Sequence, residues 1–592
     1  MLAATFFHGG APVKKAFVLP FMFLSLVACT PVEEGALIIT GDGEIGEKEV
    51  VDNDPSDPSD QTDLSDLSDD FVVVDEIIVD ETPDIDEPVV EFDPPDLTVA
   101  PVAYIVTVEA FRKTFELLAI LHSAIGLPTA VATVEDICGG SCDEGDPRND
   151  TAAAIKAWAL TRPGLQHLIL GGDIEVVPSR AVHDKYSNIV AGTYEEDFKS
   201  DHYYADLSEW DGNHNGIYAE DTGDSPDLLP ELAVSRIPVS DDIEAARYVA
   251  KARRYLTAYN AADMQKALLI ANVATNYNGI DINAGYYFEN EGRTVSAIPP
   301  SFTIRRLYAS TFPPPSLSAE TLTLAKEEEA LEAGTNIVVH NGHGYPSLLT
   351  CEQVGDDLDF TGAMAYALTN QTPLVFLSGA CQAGQFEAPF TWHYTNSAGE
   401  AKEKVFTDDS AGELLVNAPN GGAVIYLGNT TTGLGLAGGS QLIDELLKYA
   451  FANPRPLAGD ALRAARIALP QNDTFTPPVV SVPLPVVDPD SWAWTQKATV
   501  LLGDGALPLW TVATPVSNLP LFSVEKVNGG ARITMTHIPE GATGRIHFCG
   551  NYYTVAAGET EKTVAAPGDC LTAEAALSSP TAQYWFDSIS VF

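Results

Sequence analysis

Two stretches of this chain place a reactive side chain just past a run of apolar residues. The first is Asn336-Ile337-Val338-Val339-His340-Asn341-Gly342-His343-Gly344, and the second is Pro373-Leu374-Val375-Phe376-Leu377-Ser378-Gly379-Ala380-Cys381. A β-rich apolar run that stops at a glycine-flanked turn reads as a buried parallel strand, and open α/β sheets bind ligands beyond the carboxyl ends of such strands. If the two strands are neighbours, His343 and Cys381 face one crevice, which suits a thiolate nucleophile and its proton-transfer partner. Gly379, Ala380 and Gly384 remove bulk around Cys381, and a helix starting directly after it is expected to lower the thiol pKa. His340 still belongs to its strand run, so it is expected as a hydrogen-bonded core histidine. The His340/His343 pair lacks the glutamate of the HExxH zinc motif.

This pattern resembles the gingipain-type cysteine peptidases, in the clan shared with caspases and legumain. There an apolar strand is followed by His-Gly, and a later one by Ala-Cys or Ser-Cys, as at His343-Gly344 and Ala380-Cys381. Further stretches resemble the same family: Leu168-Ile169-Leu170-Gly171-Gly172-Asp173 with Val177-Pro178-Ser179-Arg180, and Ser200-Asp201-His202-Tyr203-Tyr204-Ala205-Asp206-Leu207. So do Ala233-Val234-Ser235-Arg236-Ile237-Pro238-Val239 and Leu501-Leu502-Gly503-Asp504-Gly505-Ala506-Leu507-Pro508-Leu509-Trp510. Together they run in family order over residues 101–513. The resemblance implies a caspase-like α/β fold and a Cys381–His343 dyad, with the main-chain N–H groups of Gly344 and Cys381 stabilising the oxyanion. A third residue orienting His343 stays unassigned: Glu289 and Glu291 lie in the right stretch, and surface charge is the other explanation for each.

The elements that must position the pair follow from the apolar pattern. Strands at 104–108, 129–134 and 165–170 alternate with helices at 110–125 and 151–161, which argues for βαβ units and a parallel sheet. A second series of strands covers 266–274, 303–308, 336–340, 373–378 and 423–427. By the same resemblance, the two series look like the two α/β subdomains of the gingipain catalytic unit, an N-terminal one over 101–262 and a catalytic caspase-like one over 263–513. After Trp510 the pattern becomes short alternating segments, at 531–535, 544–549 and 562–566. A small all-β sandwich over 514–592 is expected, and the resemblance implies an immunoglobulin-like module there.

Composition bounds the partners. The 592 residues carry a net charge of -51, and residues 31–100 hold 24 Asp and Glu against Lys48 alone. Such a chain repels nucleic acid, and no basic patch interleaved with aromatics offers a counter-argument. Lys14 and Lys15 precede an apolar stretch at 16–28 that is too short to span a bilayer and has the layout of an export signal. Its end, Leu26-Val27-Ala28-Cys29, resembles a bacterial lipobox, so residues 1–29 are read as a lipoprotein signal with Cys29 lipidated, which places the expected protein in the outer membrane or at the cell surface. An ordinary signal peptide is the alternative. Residues 30–100, rich in Asp, Pro and Ser, read as a disordered acidic tether, although 71–74 and 77–79 could form short strands. Of the seven cysteines, Cys138 with Cys142 and Cys549 with Cys570 could form local disulfides, which leaves Cys351 over.

Asp211-Gly212-Asn213-His214-Asn215-Gly216 with Glu220 offers oxygens at positions 1, 3 and 5 of a turn and a glycine at 6, like the first half of a calcium loop. Position 12 is Thr222, and a plain Asn-Gly turn is the other reading. The expectation is therefore an exported, lipid-anchored cysteine endopeptidase acting on proteins or peptides, with no organic cofactor and a structural calcium at Asp211, Asn213, Asn215 and Glu220. A non-catalytic adhesin or sorting protein on the same fold is an alternative. A sortase-like transpeptidase, differing in whether an amine or water resolves the acyl-enzyme, is another.

Overall fold

The computed structural model describes Asp93 and residues 100–590 apart from short interruptions, the longer ones being 310–318, 351–358, 396–400, 512–520, 566–571 and 579–583. The expected signal segment, nearly all of the tether, and Cys29, Cys351, Cys549 and Cys570 lie outside the described residues.

Both strand series enter one eleven-stranded sheet. Its order is Glu320–Thr321, Thr303–Tyr308, Lys266–Ala271, Ile337–Asn341, Leu374–Ser378, Ala423–Asn429, Thr499–Gly503, Ala233–Ile237, His167–Gly171, Ala103–Thr107, Thr129–Thr133. Every neighbouring pair is parallel except Ala423–Asn429 against Thr499–Gly503. At that contact the direction reverses, so the carboxyl ends of the two blocks open on opposite rims. The closing strand, Thr499–Gly503, follows the second series in sequence but runs parallel with Ala233–Ile237 of the first. The strands Ile337–Asn341, Leu374–Ser378 and Ala423–Asn429 are buried at every residue, as befits a sheet covered on both faces.

Four of the stretches that carry the resemblance meet around one guanidinium. Arg236, fully buried, donates to both carboxylate oxygens of Asp201 at 2.7 and 2.8 Å and to the carbonyls of Gly172 and Val177 at 2.8 and 2.6 Å. A buried charge survives only when it is paired and its remaining donors are used, and here the pairing ties the first block together. The closing stretch is equally structural. Gly503 has φ 102°, and a Cβ there would lie 2.2 Å from the Val424 carbonyl, while the buried Asp504 carboxylate sits 2.6 Å from His122 Nε2.

The C-terminal region forms two antiparallel sheets. Leu521–Val527, Gly530–Thr536 and Glu561–Ala565 make one, and Asn551–Val555, Thr543–Phe548, Thr572–Ser578 and Tyr584–Ser590 the other. They enclose a core of their own that includes Ile533, Ile546, Phe548, Tyr553 and Val564. This is the all-β unit expected from the change of pattern after Trp510. Among the described residues no helix is long and apolar enough to cross a membrane.

Candidate active site

Ile337–Asn341 and Leu374–Ser378 are adjacent and parallel, with His340 registered against Ser378. His343 and Cys381 each lie three residues beyond that pair, so both segments leave the sheet at the same rim. The chain bends at Gly342, where a Cβ would come within 2.4 Å of the Asn272 side-chain nitrogen. His343–Tyr345 then leaves the main sheet and pairs antiparallel with Leu348–Thr350, His343 opposite Thr350. A Cβ on Gly344 would lie 2.7 Å from the Cys381 carbonyl oxygen and 2.9 Å from the Ala380 methyl. Only glycine lets the histidine segment and the cysteine segment pack this closely.

Cys381 is 6% exposed, and its thiol donates to the Gly433 carbonyl at 3.4 Å. The segment after it departs from expectation: no helix begins there. Instead Gln382 takes φ 54°, and the Ala383 N–H donates back to the Cys381 carbonyl at 2.6 Å, closing a γ-turn. The turn is held from outside. Gln382 N–H donates to Thr431, Gly384 N–H to Asn429, and the Asn429 side chain donates to the Ala380 carbonyl at 2.8 Å. A helix start does approach the site, but from a distant stretch: Gly439–Ala452 begins against Gly379, and Ser440 accepts from the Asn341 side chain at 2.5 Å.

His340 occupies the core role expected of it. It is fully buried, Nδ1 lies 2.9 Å from the Ser378 hydroxyl, and burial, aided by the nearby His343, pushes its pKa down to about 3. Ser378 Oγ in turn accepts the Ala380 N–H at 3.2 Å, so a neutral imidazole braces the turn that carries Cys381. Glu289 is committed elsewhere, accepting from Arg306 at 2.6 Å and Tyr308 at 2.6 Å. Glu291 is exposed. Beneath the turn, the Gly412 N–H donates to the Ala383 carbonyl at 2.7 Å. The next residue, Glu413, closes a capping box with Ser410; burial pushes its carboxyl well above the usual range, with Asp173 and Asp409 adding to the shift.

Asp211, Asn213, Asn215 and Glu220 do gather in one turn. Asp211 accepts the N–H groups of Asn215 and Gly216 at 2.9 and 3.1 Å, and Asn215 donates to Glu220 at 2.8 Å. Asp224, absent from the sequence-based set, joins by accepting from Asn213 and Glu220 N–H at 3.4 and 3.2 Å. Among the described residues no group of three or more His, Cys, Asp or Glu side chains is spaced to hold a metal ion. Cys138 and Cys142 form the expected disulfide, and Cys381 keeps its thiol.

Peptidase family C25 matches residues 98–510 of the sequence. The chain belongs to that family. Its fold is similar to the Arg-specific cysteine proteinase gingipain R, with a TM-score of 0.52 at 15% identity over 83% of this chain and 100% of that one. The complex of the Porphyromonas gingivalis RgpB pro- and mature domains gives 0.52 at 13% identity, over 82% and 99%. A curated relative, an uncharacterised protein of Archaeoglobus fulgidus, is 24% identical over 367 residues, which is 58% of this chain and 82% of the relative. The family membership makes this chain a cysteine peptidase by descent, with proteins or peptides as its substrate class, and its central sheet is the caspase-like sheet of the gingipains.

Proposed function

We propose that this chain is an exported endopeptidase that cuts peptide bonds with Cys381 as nucleophile and His343 as its proton carrier. The observation that carries the reading is the shared offset of the two residues from the registered His340–Ser378 pair, with Gly344 packed on the Cys381 carbonyl. The Cys381 thiol gives its proton to His343, and the sulfur attacks the scissile carbonyl while the N–H groups of Gly344 and Cys381 receive the oxyanion. As the C–N bond breaks, His343 protonates the departing amine and leaves a thioester. Water, deprotonated by His343, attacks the thioester, releasing the acid and returning the thiol.

Labelling with a peptide chloromethyl ketone tests the assignment. One equivalent should attach to Cys381 and abolish hydrolysis in step, whereas hydrolysis persisting after complete labelling would overturn it. The reading extends to a lipid anchor at Cys29, supported by the lipobox-like Leu26-Val27-Ala28-Cys29, and to calcium at the Asp211 turn. Cys29→Ser should abolish lipid attachment and release the protein from membranes, and a wild-type mature N-terminus elsewhere, without lipid, would contradict the anchor.

A further inference from the structure

Gln382, the residue after the nucleophile, sits in a conformation that a side chain other than glycine or asparagine rarely adopts, with φ 54° in the γ-turn. Its main chain is fully used: the N–H donates to Thr431 at 2.8 Å and the carbonyl accepts from Gln385 at 3.0 Å. Its side-chain oxygen is not. Gln382 is 2% exposed, yet its Oε1 has no hydrogen-bond partner. Glycine would relieve both the backbone strain and the orphaned carbonyl at once. Strain and unsatisfied polar groups held together beside a reacting atom point to a group kept ready for a ligand.

Resting on the nucleophile assignment above, we infer that Gln382 is a substrate-binding residue whose Oε1 accepts the main-chain N–H of the residue carrying the scissile carbonyl. That nitrogen is two bonds from the attacked carbon and, unlike the amide nitrogen that leaves, stays with the acyl half through both steps, so it is the lasting donor within reach of the residue adjoining Cys381. Every residue but proline offers this N–H whatever its side chain. The contact therefore selects for a peptide main chain, not for a particular sequence, and it fixes the carbonyl against the sulfur. Cys381 is itself 6% exposed, so a substrate that reaches its sulfur enters an enclosed site.

The test pairs a peptide substrate with the matched depsipeptide, in which that one N–H is replaced by an ester oxygen. Wild-type kcat/KM should fall about tenfold on the replacement, the loss of one hydrogen bond to a buried acceptor. Gln382→Gly, which relieves the backbone, should cleave the peptide about tenfold more slowly than wild type and lose nothing further on the depsipeptide. Gln382→Met, which keeps the length and lacks the acceptor, should behave likewise. Alkylation of Cys381 by iodoacetamide, which needs no main-chain recognition, should stay within about twofold in all three proteins. Full peptide hydrolysis by Gln382→Gly, an equal depsipeptide loss in wild type and variant, or alkylation falling in step with hydrolysis would each overturn the role of Gln382 alone. Hydrolysis that survives complete alkylation of Cys381 would instead overturn the nucleophile assignment, and this inference with it.

Discussion

His340 and Ser378 face each other across two neighbouring parallel strands, imidazole Nδ1 to hydroxyl oxygen at 2.9 Å. The pair sets the level of the candidate dyad, because His343 and Cys381 follow it by three residues each, and it braces the dyad through the Ala380 N–H.

The first prediction concerns pH. The folded pKa of His340, about 3, lies below the unfolded value of about 6.5, so its stabilising contribution is whole above that pH and is lost as acid protonates the unfolded chain. His340→Gln removes this slope. The stability lost between pH 7 and pH 5, read from denaturant melts, should be about 2 kcal/mol smaller in the variant than in wild type. Equal losses in the two proteins would show that His340 titrates normally. The variant should retain measurable peptide hydrolysis.

Gly344→Ala should damage the site more than the fold. The added methyl meets main chain at the Cys381 carbonyl, 2.7 Å away, where nothing flexible can yield. Overpacking of this kind costs about 1–3 kcal/mol, whereas a displacement of about 1 Å between reacting groups can cost about 100-fold in rate. A folded variant with wild-type kcat would contradict the close packing of the two segments.

For calcium, the informative quantity is a difference. Asp211 accepts two main-chain N–H groups of its own turn, so Asp211→Ala should destabilise the protein with or without metal. A site with Kd of about 10⁻⁴ M, filled at tenfold excess, adds about 1.4 kcal/mol to the folded state. Chelator should therefore lower the wild-type melting temperature by a few degrees and leave that of Asp211→Ala unmoved. Identical wild-type curves with calcium and with chelator would identify the segment as a hydrogen-bonded polar turn.

Much of the scaffold was legible in the sequence because the central strands are apolar runs with little ambiguity of period. The expected strand at 303–308 coincides with Thr303–Tyr308, and that at 373–378 differs from Leu374–Ser378 by one residue. The expected adjacency of the strands before His343 and Cys381 also holds. Long-range arrangements were not legible. That the two series share one sheet depends on the antiparallel contact of Ala423–Asn429 with Thr499–Gly503, which no local pattern encodes. Gln382-Ala383-Gly384 looked like a helix start, but the turn is fixed by Thr431 and Asn429, almost fifty residues on. Asn272 beside Gly342 and Asp224 beside Asn213 carry no sequence signal either, since their roles come from packing alone.

The most direct test is peptide hydrolysis by Cys381→Ala beside wild type, with both melting at the same temperature to show that the fold is intact. The thiol is small and its hydrogen bond to Gly433 is weak, so little stability is at stake. Loss of the nucleophile should reduce kcat by about 10⁴-fold or more. Cleavage by the variant at the wild-type rate would contradict the account.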